Sequence, residues 1–408
     1  MRDVGVLENH APGMVPDLDC QTTEAALSFS TGVLMPLPLT GKGVGYTCGS
    51  LAEAMVDQDF GVTIVTPRSR WPLPLVEVIE TLPAWKRYFP YGWVKSSAWR
   101  SMEAAFLSHL DRSRSRRVAA YLWPSASMEL LQELRRRDIP VFREQFNCHT
   151  RTAKTILDDA YGRIGVAPMH GITDATVDRE TKILEAMDYI FCPNQPVESS
   201  LLENGVSKSK CLETAYGWDP VRFSGKNRLL PSNHELTAVF VGIIGVRKGA
   251  HLILDYWAKS GVKGRLVLAG RMEPVIKEKY SDLLARDDVT VLDYVEDVGS
   301  LYRSADIFVF PSLEEGGPQV TYEACGCGLP VITTSMGAGR IVRNEREGLV
   351  LDPYDAAGWI TAIRRLAEDT ELRRRMSAAA LEHAERFTWT AVASKRREQM
   401  IGRLGYGI

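Results

Sequence analysis

Residues 301–334 read LYRSADIFVFPSLEEGGPQVTYEACGCGLPVITT. Two short apolar runs, DIFVFPS from 306 and PVITT from 330, flank a segment that opens on Gly-Gly-Pro and continues as a helix. Runs this short, continuously apolar and separated by helix, belong to strands buried on both faces of a parallel sheet. The same pattern extends outward through LTAVFVG from 236, GRLVLAG from 264, DVTVLDY from 288 and GLVL from 348. The 355–402 tail is helical and rich in arginine.

The first half has a second alternating series. A strand is predicted over 25–34, then the loop PLPLTGKGVG at 36–45, a helix over 46–57 and a strand over 61–66. Strand, glycine loop, helix, strand is one βαβ unit. Further strands are predicted at 117–122, 140–143 and 189–193, with a helix at 179–187. Residues 199–221 read as irregular, and 223–233 as an interdomain linker. The expected fold class is α/β, with two Rossmann-like parallel-sheet domains. An irregular tail covers 1–22, the N-terminal domain 23–222 and the C-terminal domain 223–387. A last helix at about 388–408 is expected to pack back on the N-terminal domain.

Composition sets the outer limits. The 408 residues are 45% hydrophobic and 25% charged, with net charge −2 and mean hydropathy −0.13. This balance fits a globular chain with two cores and argues against nucleic-acid binding. Seven cysteines, an odd number without C-x-x-C spacing, argue against a disulfide framework or zinc site and for a reducing cytosol. No run reaches the roughly 20 apolar residues that span a bilayer, and the N-terminus does not read as a signal peptide.

In open α/β sheets, ligands bind beyond the carboxyl ends of the strands. Three loops there carry chemistry. After LTAVFVG come Ile243, Gly245, Arg247, Lys248 and Gly249, a pair of cations with glycines before a helix. That combination suits a diphosphate; the ordinary alternative is a solvated turn. After DIFVFPS come Glu314, Glu315, Gly316, Gly317, Pro318, Gln319, Val320 and Glu323. Pro318 fits the first helical turn, and the helix start would present amides to an anion beside carboxylates suited to sugar hydroxyls. The alternative is a Gly-rich helix start with ordinary acids. The third loop, 39–45, holds Gly41, Gly43 and Gly45; it matches neither G-x-G-x-x-G nor a P-loop.

Taken together, FVGIIGVRKGAHLIL, LVLAG and the 301–334 run resemble the retaining GT-B glycosyltransferases of the "group 1" type, glycosyltransferase family 4. The likeness is close over roughly 236–390 and looser before it. The resemblance implies that Glu323 binds the nucleotide ribose and that Glu315 faces the donor sugar. It implies that Gly316, Gly317, Gln319 and Val320 offer amides to sugar and diphosphate. Lys248, with Arg247, would hold the diphosphate, Gly43 and Gly45 would approach from the opposite domain, and Val295 in the 293–295 turn would meet the base. The chain departs from the family in two places: Ile243 stands where arginine is common, and Glu315-Gly316-Gly317-Pro318 stands where the family often reads Glu-Gly-Phe-Gly, so the aromatic and one amide donor are lost. His149, after the 140–143 strand, occupies the region of a family histidine that faces the sugar; the alternative is a histidine of a helix start. His170 is a weaker candidate.

The implied activity is retaining transfer of a sugar from a nucleoside-diphosphate sugar to a glycan, lipid-linked or small-molecule acceptor, in polysaccharide or glycolipid synthesis. No cofactor or metal is expected. Arg247, Lys248 and the helix dipole would stabilise the departing diphosphate, which takes the acceptor's proton. Alternatives are a sugar-nucleotide-binding partner without turnover and a glucan synthase-like enzyme. Residues 85–117 interleave Lys86, Lys95 and Arg100 with Trp85, Tyr88, Phe89, Trp93, Trp99 and Phe106. Such a mixture favours an anionic membrane surface, giving a cytoplasmic protein peripheral to the inner membrane face; packing into its own domain is the alternative.

Overall fold

The computed structural model describes residues 29–113, 117–123, 126–231 and 235–405. The expected tail at 1–22 lies outside them. Seven parallel strands form the first sheet: β1 (Phe29–Leu34), β2 (Phe60–Thr66), β3 (Glu77–Glu80), β4 (Arg117–Leu122), β5 (Val141–Glu144), β6 (Tyr189–Cys192) and β7 (Cys211–Glu213). Their order is β3-β2-β1-β4-β5-β6-β7. Six form the second: β8 (Leu236–Val241), β9 (Gly264–Ala269), β10 (Val289–Leu292), β11 (Ile307–Phe310), β12 (Val331–Thr333) and β13 (Gly348–Val350), in the order β10-β9-β8-β11-β12-β13. Every strand pairing in the two sheets is parallel.

The central strands are largely apolar because helices cover both faces, and β11 (IFVF) is apolar throughout. Phe240, Leu268, Phe308 and Ile332 are inaccessible to solvent. The strand order reverses between β1 and β4 and again between β8 and β11. Crossover helices diverge at such a switch point and leave a crevice at the strands' carboxyl ends.

Three predicted boundaries change. The helix after β1 runs Gly43–Met55, so Gly45 lies inside its first turn rather than in a loop before it. Glycine is a poor helix former, which hid that start. Residues 199–221 are not wholly irregular: helix Gln195–Glu203 enters this stretch and the edge strand β7 lies in it. The predicted 179–187 helix is Asp174–Glu185, set by a capping box at Thr173 and Thr176.

The chain crosses between the sheets twice. In the first crossing Trp218 donates its backbone N–H to Phe387 in the second (2.9 Å), and Trp389 returns one to Trp218 (3.2 Å). The last helix, Trp389–Arg403, then lies on helix Gly43–Met55. Its Arg396, fully buried, ion-pairs with Glu144 at the end of β5 and donates to the Tyr121 hydroxyl (2.7 Å). A buried charge is tolerable only with such a partner.

Candidate active site

The carboxyl ends of β1, β4 and β5 face those of β8, β9, β10 and β11 across a cleft of about 620 Å³. The β8 and β11 loops form its floor and are knitted together. Leu313 donates its N–H to the Arg247 carbonyl (2.9 Å). The Arg247 guanidinium meets Glu314 at 2.9 Å, and the Lys248 ammonium ion-pairs with Glu315. Two cations and two carboxylates thus cross-pair between neighbouring strands. Burial pulls the Lys248 pKa well down, with the Arg247 charge adding to it and Glu314 opposing.

The opposite domain closes on this loop. The buried Glu314 carboxylate accepts the Cys148 N–H at 3.0 Å. A Cβ on Gly316 would run into the Phe146 carbonyl, and one on Gly317 into the Tyr216 ring. The two glycines therefore do a packing task besides any amide contact: they let the two domains meet. Pro318 is the cap of helix Gln319–Gly326, one residue before its expected place, and Gln319 Nε2 donates to the Gly217 carbonyl.

Glu323 faces the cleft from that helix. Burial raises its pKa to about 7; the Arg222 charge and hydrogen bonds from Tyr302 and Gln319 work the other way. The Tyr302 hydroxyl sits 3.3 Å from Glu323 Oε2. A carboxyl poised near neutrality in a cleft is a mark that functional sites share with buried structural networks.

The cleft brings together most of the residues expected from sequence: Gly43, Arg247, Val295, Glu315, Gly317, Gln319, Val320 and Glu323 line it. Four do not. Gly45 is buried beneath the helix start, 3.3 Å in Cβ terms from the Pro38 carbonyl. Gly316 is buried in the domain contact, and Lys248 is buried behind Glu315. His149 is 1% exposed and caps helix Thr150–Arg163: its Nδ1 accepts the Arg151 N–H at 3.2 Å. After β5 the turn presents Phe146 and Asn147 to the cleft and carries His149 back into the domain. His170 pairs with Asp158 at 2.8 Å, also away from the cleft lining.

Sequence reasoning missed Tyr46, Trp123, Asn147, Arg222 and Arg271, all in the lining, which also includes Tyr294 of the expected 293–295 turn. Arg222 follows the Gly-Trp-Asp-Pro turn, and its guanidinium lies 4.8 Å over the Tyr46 ring. Lys42 spans the cleft mouth, 4.2 Å from the Tyr294 ring of the other domain.

Comparison with known proteins fits this geometry. The sucrose-phosphate synthase of Thermosynechococcus elongatus superposes with a TM-score of 0.69 at 21% identity, covering 92% of this chain and 98% of its own. Anabaena HepE, in complex with UDP and glucose, gives 0.63 at 15% identity over 91% and 99%. WaaG, a glycosyltransferase involved in lipopolysaccharide biosynthesis, gives 0.64 at 16% over 91% and 100%. Two facing Rossmann-like domains with the cleft between them define the GT-B class. Residues 224–383 match the family model "Glycosyl transferases group 1". D-inositol 3-phosphate glycosyltransferases of Paenarthrobacter aurescens (35% identical over 99 residues) and Corynebacterium efficiens (38% over 101) are similar there. Each match spans 24% of this chain and 24% of the relative.

Proposed function

We propose that this protein is a retaining glycosyltransferase that takes its sugar from a nucleoside-diphosphate sugar and passes it to a glycan, lipid-linked or small-molecule acceptor in polysaccharide or glycolipid synthesis. The observation that carries the reading is the placement of Glu315 with Lys248 and of Glu323 at the β8/β11 switch point of one cleft. Glu323 would accept the ribose hydroxyls. Glu315 would accept a hydroxyl of the donor sugar, releasing Lys248 toward the diphosphate. The bond from the anomeric carbon to the diphosphate breaks, and the acceptor oxygen bonds to that carbon on the same face. The acceptor's proton passes to the departing phosphate oxygen. Arg247, Lys248 and the start of helix Gln319–Gly326 stabilise the charge that leaves. The UDP and glucose held by HepE support this class of donor.

The test is release of nucleoside diphosphate from UDP-, GDP-, ADP- and TDP-sugars. Turnover of one of them, lost in Glu315→Ala, supports the reading. Binding without any turnover would favour the rival, a sugar-nucleotide-binding partner.

The acceptor side extends the proposal to a membrane surface. Trp85 (64% exposed), Tyr88 (88%) and Trp93 (78%) project from the start of the 85–117 segment near the exposed Lys95. The Tyr91 hydroxyl donates to the Pro36 carbonyl (2.6 Å), which ties this patch to the β1 loop at the cleft. Farther along, Phe106 is in the core and Trp99 half-buried, so the docking face is the first third of the segment only. Interfacial aromatics beside cations suit an anionic bilayer. Flotation with anionic vesicles but not zwitterionic ones, lost in a Trp85→Ser/Tyr88→Ser/Trp93→Ser variant, is the expected result; absence from both vesicle types refutes it. Among the described residues no helix is long and apolar enough to cross a membrane.

A further inference from the structure

The cations in and behind the cleft lining are not equivalent. Arg247 and Lys248 are neutralised by Glu314 and Glu315. Lys42 lies over the Tyr294 ring, and Arg222 over Tyr46. Arg271 also lines the cleft, but its exposed guanidinium has no hydrogen bond, ion pair or ring contact with any described residue. The nearest carboxylate in sequence, Glu273, is engaged elsewhere, accepting the Val246 N–H at 3.1 Å.

The backbone that carries this free head group is fixed. The Arg271 carbonyl accepts the Ile244 N–H at 2.9 Å, and Gly270 donates to the Leu292 carbonyl at 3.0 Å. Gly270 holds φ at +137°, where a Cβ would run into the Gly242 carbonyl, so the β8 and β9 loops meet backbone to backbone. An arginine on a rigid mount with an unused planar fork of donors is arranged for a ligand, and such a fork matches acceptors in a plane.

Its place along the sheet edge says which part of the ligand. Reading across the carboxyl ends, Glu315 follows β11, Arg247 follows β8, Arg271 follows β9 and Tyr294 follows β10. Neighbouring strands lie about 4.8 Å apart, so the step from the β11 loop to the β10 loop is about 14 Å. With the diphosphate at the β8/β11 loops and the ribose at Glu323, a nucleotide of that length brings its base to the β9 and β10 loops. There it meets the Arg271 fork and the Tyr294 ring, which is 63% exposed.

We propose that Arg271 reads the base of the donor by donating hydrogen bonds to a ring carbonyl, which favours uracil, thymine or guanine over adenine. This rests on the nucleotide-donor reading above. The experiment is equilibrium binding of UDP, TDP, GDP and ADP, and of the matching nucleoside monophosphates, to the wild type, Arg271→Ala and Arg271→Lys. The wild type should bind one carbonyl-bearing nucleotide at least about tenfold tighter than the adenine nucleotide, the usual worth of one good base-specific contact. Arg271→Ala should bring that ratio below about threefold, equally with one phosphate or two, and Arg271→Lys should restore part of it. A preference for adenine, an unchanged ratio in Arg271→Ala, or a loss seen only with diphosphates overturns the proposal while the donor reading stands. A wild type that binds no nucleotide removes both.

Discussion

Glu323 is where protonation, stability and binding meet. A carboxyl raised to about 7 holds its proton more tightly in the folded chain than in the unfolded one. Between the ordinary glutamate range and about pH 7 the native state therefore binds more protons. The contribution to stability is unfavourable and grows as pH rises through that window, to roughly 3 kcal/mol once the group is ionised. Ribose hydroxyls are donors to a carboxylate, so binding runs the other way. Nucleotide affinity should rise about tenfold from pH 6 to pH 8, following the ionised fraction. Glu323→Gln should flatten that profile, weaken binding and raise Tm at pH 8; calorimetric titration and thermal melts at the two pH values read all three. A pH-independent affinity in the wild type would remove Glu323 from the ribose site. Sequence placed Glu323 by spacing and likeness, but a shifted pKa is a property of burial among Tyr302, Gln319 and Arg222, which no linear motif displays.

At the scale of elements, the β11 loop is shaped as much by the opposite domain as by its ligand. Gly316→Ala places a methyl group against the Phe146 carbonyl. The domains should then be held apart, and turnover should fall by more than about 100-fold because misplacement of the reacting groups by an ångström has that size of effect. Steady-state kinetics beside a folded-state circular dichroism spectrum checks this, and near wild-type turnover would contradict it. The last helix makes a second prediction. Arg396→Met strands Glu144 as an uncompensated buried charge and should cost about 3–5 kcal/mol, while Arg396→Met/Glu144→Gln should recover part of it. Chemical denaturation measures both. Continuous apolar strands such as LTAVFVG and IFVF were legible because both faces of their sheet are covered. β3 and β7 were not: each is a short edge strand, and β3 is half-exposed and acidic at both ends. The helix at Gly43 was hidden by three glycines, which lower its propensity: Gly43 lines the cleft, while Gly45 and Gly49 leave room for the Pro38 carbonyl and the Trp71 ring.

Over the whole molecule, the alternation of strand and helix was enough to read two parallel sheets, and the loops at their carboxyl ends held eight of the twelve expected site residues. His149 lies outside the lining because a turn's exit direction decides which of residues 146–149 meets the cleft, and direction is invisible to spacing. The lining residues that were missed, Tyr46, Trp123 and Arg222 among them, come from segments far apart in sequence and gain their meaning only when the domains face each other. The central claim is that this interface holds a nucleoside diphosphate. The most direct measurement is a thermal-shift series with UDP, GDP, ADP and TDP on the wild type and Glu323→Ala. Anything that binds only the folded chain stabilises it, by about 2.7 kcal/mol at a hundredfold excess over Kd. The account predicts that one nucleotide raises the wild-type Tm by several degrees and leaves that of Glu323→Ala unmoved. A folded wild type indifferent to all four nucleotides, or a shift that survives in Glu323→Ala, would contradict it.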